Sequence, residues 1–95
     1  MNYISDIAEQ IRREVPPEAL PKGDTDLLFL VYAVLALTVR EDVRPENVHD
    51  AWSAWITHSD PSHESIKPFA QLSPETQRQD RPFVDAIRKV ASQLP

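Results

Sequence analysis

The sequence contains no cysteine and only one glycine, Gly23. The lack of cysteine excludes disulfide bonds, zinc sites built from thiolates and cysteine nucleophiles. Phosphate-binding loops and the sharp turn that presents a catalytic serine both require more than one glycine, so these arrangements are excluded too. We therefore expect a protein that is not an enzyme and that uses no cofactor.

Basic residues are too few for a nucleic-acid-binding surface. Lys and Arg together number 10 against 15 Asp and Glu, which gives a formal net charge of −5. The two signs are mixed along the chain, and the sequence has no stripe of basic residues. Because phosphate contacts supply most of the non-specific affinity for nucleic acids, we expect no nucleic-acid partner.

The sequence also lacks a long apolar run. Residues 27–39 are almost wholly apolar, but as a helix they would rise only about 20 Å, whereas the hydrocarbon core of a bilayer is about 30 Å thick. Residues 1–14 carry charges of both signs between apolar positions, which is unlike a signal peptide. We expect no membrane association and a cytoplasmic location.

Nine prolines cut the chain into segments of helical length. Tight hairpins between strands usually need glycine, whereas proline is tolerated at helix starts and between helices. Several segments repeat apolar residues at the spacing of one helical face. The first predicted helix ends near residue 14, the second covers about residues 25–40, and the third extends from residue 45 to just before Asp60. Another begins after Ser73, and the last helical segment includes Phe83 and Leu94.

These segments predict an all-α fold. We expect a single domain, residues 1–95, in the form of a compact bundle of four to five helices. The most apolar segment, about residues 25–40, is predicted to be a buried central helix around which the other apolar faces pack.

Two details of the helix ends stay open. Asp24 or Thr25 is suited to cap the second helix at its N-terminus. Pro82 either kinks the last helix or begins a separate helix that Asp80 caps.

Three histidines, His49, His58 and His63, lie close together in the sequence and alternate with carboxylates. A compact metal site on a helix needs two ligands at positions i and i+4, and no pair of these histidines has that spacing. We therefore predict no metal site, and we interpret the three side chains as solvated or capping groups.

Trp52 and Trp55 lie on the apolar stripe of the third helix. The favoured interpretation places both indoles in the core. The alternative is that one indole edge reaches the surface beside His49 and forms a binding hot spot for a partner or ligand.

The residues from Val48 onward form an ordered pattern. Residues 48–52 read VHDAW, residues 63–72 read HESIKPFAQL, and residues 75–81 end in Asp-Arg before a final apolar helix. Over residues 48–92 this pattern resembles the ryanodine-receptor (RyR) repeat domain, a small helical module also found in bacterial and phage proteins. Residues 1–44 have no counterpart in that module and are expected to be helical scaffold.

The whole chain resembles small uncharacterised proteins of actinobacteria and their phages. The RyR resemblance implies a scaffold used for interaction, and its prokaryotic relatives are proposed to sense small, nucleotide-derived ligands in conflict systems. Lys67, Arg78 and Arg81 would supply phosphate contacts, with Trp52 or Phe69 as a stacking face. In the favoured interpretation these residues are structural instead.

We predict a non-enzymatic interaction module that binds a protein partner or a second copy of itself near the tryptophan helix and residues 63–72. The alternative is a sensor of the RyR-like type for a small, nucleotide-derived anionic ligand. A phage or prophage is a candidate source of the gene. The candidate binding residues are His49, Trp52, Trp55, His63, Lys67, Phe69, Arg78 and Arg81.

Overall fold

The computed structural model describes residues 2–95, which contain helices and no strand. The prediction of an all-α bundle of four to five helices is confirmed. Short 3₁₀ turns occupy the connections at Pro17–Ala19, Arg40–Asp42 and Phe69–Gln71. The α-helices are α1 (Tyr3–Glu14), α2 (Asp26–Thr38), α3 (Pro45–Ser59), α4 (Pro74–Arg78) and α5 (Arg81–Ser92).

Helix α1 ends where the sequence predicts. The Asn2 side chain accepts a hydrogen bond from the Ser5 backbone N–H at 2.9 Å, which caps the first turn. The helix ends at Glu14 because Val15 precedes Pro16 and takes an extended conformation. Its buried side chains, at the spacing of one helical face, are Ile7, Ala8 and Ile11.

Helix α2 lies in the centre of the bundle together with α5, since the two contact each other and both contact α1 and α3. The prediction that α2 is buried is wrong for one face, because Leu27 is 58% exposed and Val34 is 45% exposed. Helices α1, α3 and α5 pack against α2, and the face that carries Leu27 and Val34 stays exposed. In residues 2–95 no helix is long and apolar enough to cross a membrane.

Arg12 ties α1 to the start of α2. Its guanidinium donates to Thr25 Oγ1 at 2.8 Å and to Asp26 Oδ1 at 3.0 Å, and it lies 4.5 Å from the centre of the Phe29 ring. Thr25 occupies the N-cap position, but its hydroxyl is used for this bond between helices. The carboxylate of Asp24 accepts from the Asp26 backbone N–H at 2.9 Å instead. Both candidate capping residues therefore contribute to the start of α2.

Helices α4 and α5 are separate, so Pro82 begins a new helix and does not kink a continuous one. Ser73 caps α4 by accepting a hydrogen bond from the Thr76 backbone N–H at 3.2 Å. Pro82 lies in the first turn of α5, where its missing N–H costs nothing. The prediction that Asp80 caps α5 is wrong: Asp80 is at the N-cap position, but its side chain makes no capping hydrogen bond.

Candidate functional site

A pocket of about 520 Å³ lies where five parts of the chain meet. Its walls come from the 3₁₀ turn Pro17–Ala19, α2, α3, the irregular segment 60–73, and the junction of α4 and α5. Pockets that hold small molecules usually measure about 300 to 1,000 Å³. The volume therefore suits a small ligand.

His49 is the buried polar residue on the α3 wall, only 3% exposed. Its Nε2 lies 2.7 Å from the backbone carbonyl oxygen of Lys67. A carbonyl oxygen can only accept, so Nε2 carries a proton and donates it. In the neutral ring, Nδ1 is then a hydrogen-bond acceptor. The bond fixes the ring and fastens the 60–73 segment to α3.

Ser53 lies one turn after His49, and its Oγ is 3.4 Å from the same Nε2. A catalytic serine needs a histidine nitrogen that is free to take its proton. Nε2 already donates to the Lys67 carbonyl. This geometry does not activate Ser53 as a nucleophile.

Aromatic rings surround His49 and form one side of the pocket. The Trp52 indole stacks on the His49 ring with centres 5.7 Å apart, and the His63 ring meets Trp52 edge-on at 5.0 Å. Phe69 approaches the other side of His49 at 6.2 Å. We call His49, Trp52 and His63, the members of this cluster that line the pocket, the aromatic wall.

His63 is oriented by its own loop. Its Nδ1 accepts a hydrogen bond from the Ser65 backbone N–H at 3.1 Å. In the neutral ring the proton is therefore on Nε2, which is a donor. The next part of the segment is held by Gln77 of α4, whose Nε2 donates to the carbonyl oxygens of Phe69 at 3.1 Å and Leu72 at 3.2 Å.

Asp80 lines the pocket at the junction of α4 and α5. Its Oδ2 is buried, and no donor within residues 2–95 reaches it. Burial raises the pKa of this carboxyl group to about 6, and the nearby His49 partly opposes that rise. The surroundings of Asp80 therefore destabilise the ionised form of its carboxyl group.

Tyr32 of α2 is buried beside this carboxylate. Loss of solvent raises the pKa of the phenol, and the negative charge of Asp80 raises it further. Tyr32 therefore stays neutral, and its hydroxyl is a donor as well as an acceptor. Its ring packs against Phe29 and Phe83 with centres 5.3 and 5.6 Å away, so it joins the pocket to the core.

The comparisons with known proteins give a family without an assigned activity. A family model described as "Domain of unknown function (DUF7701)" matches residues 2–92. The chain belongs to this family. No curated protein and no solved structure matches the chain. The likeness to the RyR repeat domain stays a prediction, and the role of the pocket is inferred from its geometry.

The structure brings together only part of the predicted site. His49, Trp52 and His63 line the pocket, and Phe69 packs behind His49. Trp55 is half-buried and packs against the core, outside the pocket. Trp52 is also partly buried against the core, but it lines the pocket beside His49, and its role as a binding hot spot stays a prediction.

The three predicted cations do not converge on the pocket. The Lys67 side chain is exposed and contributes only its carbonyl oxygen, to His49. Arg78 and Arg81 line a separate cavity of about 780 Å³, whose wall also carries Glu14 and Asp85. Arg81 pairs with Asp85 at 3.1 Å, as the structural interpretation of this residue predicts.

Asp80 and Tyr32 are two of the pocket residues that sequence reasoning missed. Asp80 was interpreted as a helix cap because it precedes an Arg-Pro helix start, and Tyr32 was included in an apolar helix. A signal for Tyr32 was present, because a buried phenol needs a hydrogen-bonding partner and residues 27–37 offer no other polar side chain. Within residues 2–95, no group of three His, Cys, Asp or Glu side chains is placed to hold a metal ion.

Proposed function

We propose that this protein is a non-enzymatic binding protein and that the pocket beside Asp80 takes a small ligand. One observation carries the proposal. The Oδ2 atom of Asp80 is buried at the pocket without a hydrogen-bond donor from residues 2–95. A ligand that donates to this carboxylate would supply the missing partner.

The energetic cost of the carboxylate supports a role in binding. Leaving a buried acceptor without a partner costs about 1 to 3 kcal/mol, which is a large share of the stability of a domain this small. Groups that destabilise the free protein in this way are concentrated at functional sites. A bound donor would recover this free energy and convert it into affinity.

The aromatic wall supports the same role. The hydrogen bonds of His49 and His63 fix both rings before any ligand arrives. Binding then orders few side chains, which lowers its entropic cost. The same bond occupies the Nε2 proton of His49, and this favours binding over catalysis as the role of the histidine.

Binding of a protein partner was the first function predicted from the sequence. Such a partner would cover Trp52 and the 60–73 segment from outside. The pocket favours a small molecule, because a cleft formed by five chain segments is easier for a small molecule to enter than for a protein surface, and the Oδ2 atom of Asp80 is buried there.

A ligand screen tests the proposal. A mixed library of cationic, neutral and anionic metabolites would be added to the purified protein, and unfolding followed by thermal shift. Ligand at about 100 times its Kd adds about 2.7 kcal/mol to the free energy of unfolding, which is a rise of several degrees in Tm for a domain of this size.

Two matched variants locate the binding site. Gln79 is exposed at the pocket mouth, and Gln71 is exposed elsewhere. Gln79→Phe should obstruct the pocket and abolish the shift, whereas Gln71→Phe should leave it unchanged. A screen without any hit, or hits that survive Gln79→Phe with unchanged affinity, would rule out the pocket as the binding site.

A further inference from the structure

The permanently charged side chains on the pocket wall are all negative. Asp80 and Glu18 are its carboxylates, and no Lys or Arg is among the residues that line it. The Lys67 ammonium, the Arg78 guanidinium and the Arg81 guanidinium all lie outside it. An anion entering here would meet two carboxylates without a permanent positive charge to compensate them.

Two hydrogen-bonding groups of the pocket, those of Asp80 and His49, favour a donor from the ligand. Asp80 is partly exposed, and its last side-chain torsion is broad, so either carboxylate oxygen can turn to the pocket. His49 uses Nε2 for the Lys67 carbonyl oxygen, which leaves Nδ1 as an acceptor in the neutral ring. Both groups are complementary to N–H donors.

The aromatic wall suits a flat or cationic group. Positive charge is attracted to the faces of aromatic rings, and most strongly to that of tryptophan. Trp52 lines the pocket on the same side as His49 and His63. A flat cation can therefore contact the rings and the Asp80 carboxylate at the same time.

We propose that the pocket binds a flat organic cation, such as an amidine or a protonated aromatic amine, whose N–H groups donate to the Asp80 carboxylate. This inference rests on the proposed function, since it names the ligand class for the same pocket. The cation replaces the missing partner of Asp80, and its flat part lies along the aromatic wall. Glu18, at the outer edge, attracts the same charge.

Three probes of nearly equal size separate charge from shape. Benzamidine is a cation, benzamide is neutral and benzoate is an anion, and all three carry the same ring. Each would be titrated into ¹⁵N-labelled full-length protein, with the two indole N–H signals observed by NMR. Trp52→Phe and Trp55→Phe assign these signals, and Trp55, outside the pocket, serves as the internal control.

We expect benzamidine to shift the Trp52 signal with a Kd about tenfold or more below that of benzamide, because the positive charge of the amidinium is attracted to the Asp80 carboxylate and to the Trp52 ring, whereas the amide is neutral. Benzoate should bind most weakly. Asp80→Asn should remove the preference for the cation while the variant remains folded by circular dichroism. Asp50→Asn removes the same charge from the exposed face of α3 and should leave the preference intact.

The possible failures are distinguishable. If benzoate or benzamide shifts the Trp52 signal at concentrations as low as benzamidine does, the pocket is a binding site but the cation inference is wrong. A cation preference that survives Asp80→Asn also overturns the inference, because the charge would then be recognised elsewhere. If none of the probes moves Trp52 and the metabolite screen is also empty, the proposed function fails together with the inference.

Discussion

The His49 imidazole donates a hydrogen bond from Nε2 to the backbone carbonyl oxygen of Lys67 over 2.7 Å. The two residues belong to different structural units, since His49 is in the second turn of α3 and Lys67 is in the irregular segment 60–73. This bond therefore helps to fix the position of the 60–73 segment relative to α3, and both contribute to the pocket wall. It is also the contact whose removal is easiest to measure.

His49→Ala should lower the free energy of unfolding by about 2 to 4 kcal/mol, because it leaves a buried cavity and removes the donor from the Lys67 carbonyl oxygen. The corresponding fall in Tm is about 10 to 20 °C for a domain of this size. Urea unfolding followed by circular dichroism measures the change. His58 is exposed on the same helix, and His58→Ala should change stability by less than about 0.5 kcal/mol. Equal effects from the two substitutions would contradict a special role for His49.

Asp80→Asn should stabilise the free protein near neutral pH. The pKa of Asp80 is about 6 in the fold against an ordinary value of 3.8. Between these values the folded state keeps a proton that the unfolded state has released, so stability falls as pH rises through this window and the cost is complete above about pH 6. Solvent reaches part of the side chain, which reduces the expected gain to about 1 to 2 kcal/mol.

This gain should shrink as the pH is lowered from 6 toward 4, because the folded state then keeps its proton, and it should disappear well below pH 3.8, where the carboxyl group is protonated in both states. Parallel denaturant titrations of wild type, Asp80→Asn and Asp50→Asn at several pH values measure it. The exposed Asp50 should give differences below about 0.5 kcal/mol throughout. An Asp80→Asn protein that is less stable than wild type at pH 7 would mean that the carboxylate has a partner.

Leu27 and Leu28 are neighbours on α2, but one is exposed and the other is buried. Leu28 is fully buried, and Leu28→Ala should cost about 2 to 5 kcal/mol by the loss of buried surface and the cavity that remains. Leu27 is mostly exposed, so Leu27→Ala should cost less than about 0.5 kcal/mol at low protein concentration. A much larger loss for Leu27 at high concentration only would indicate that copies of the chain associate through this face.

Arg12 and Arg13 are neighbours with different surroundings. Arg12 has two hydrogen bonds and a ring contact that link α1 to α2, and Arg13 is exposed with only Glu9 nearby at 3.8 Å. Arg12→Ala should cost about 1 to 2 kcal/mol and Arg13→Ala less than about 0.5 kcal/mol. Unfolding by urea compares the two. Arg12→Lys should recover only part of the loss, since an ammonium group cannot reproduce the forked geometry.

Local signals in the sequence were sufficient to predict most of the helix ends. Proline before and inside the first turns, and apolar residues at helical spacing, predicted the end of α1, the limits of α3 and the start of α4. These features depend on residues within one or two turns of each other. The open face of α2 was not predicted, because a wholly apolar helix has no polar side that would indicate which residues meet solvent.

The pocket was predicted only in part, because it is a long-range feature. Three of the predicted residues, His49, Trp52 and His63, lie within fifteen positions of one another and line it. Tyr32 and Asp80 are far from them in the sequence, and only the packing of α2 and α5 against α3 brings them close. Whether Asp80 caps a helix or faces a cavity depends on that packing and not on its neighbours in the chain.

The hydrogen bonds that the His49 and Gln77 side chains make to the 60–73 segment end on main-chain oxygens, those of Lys67, Phe69 and Leu72. Such an oxygen is present whatever side chain the residue carries, whereas the donors, the His49 imidazole and the Gln77 amide, depend on residue type. The residue at position 67 can therefore be replaced without loss of this hydrogen bond, and we expect this position to vary within the family. We expect the family to keep the donors at positions 49 and 77 more strictly than the residue at position 67, whose side chain is exposed.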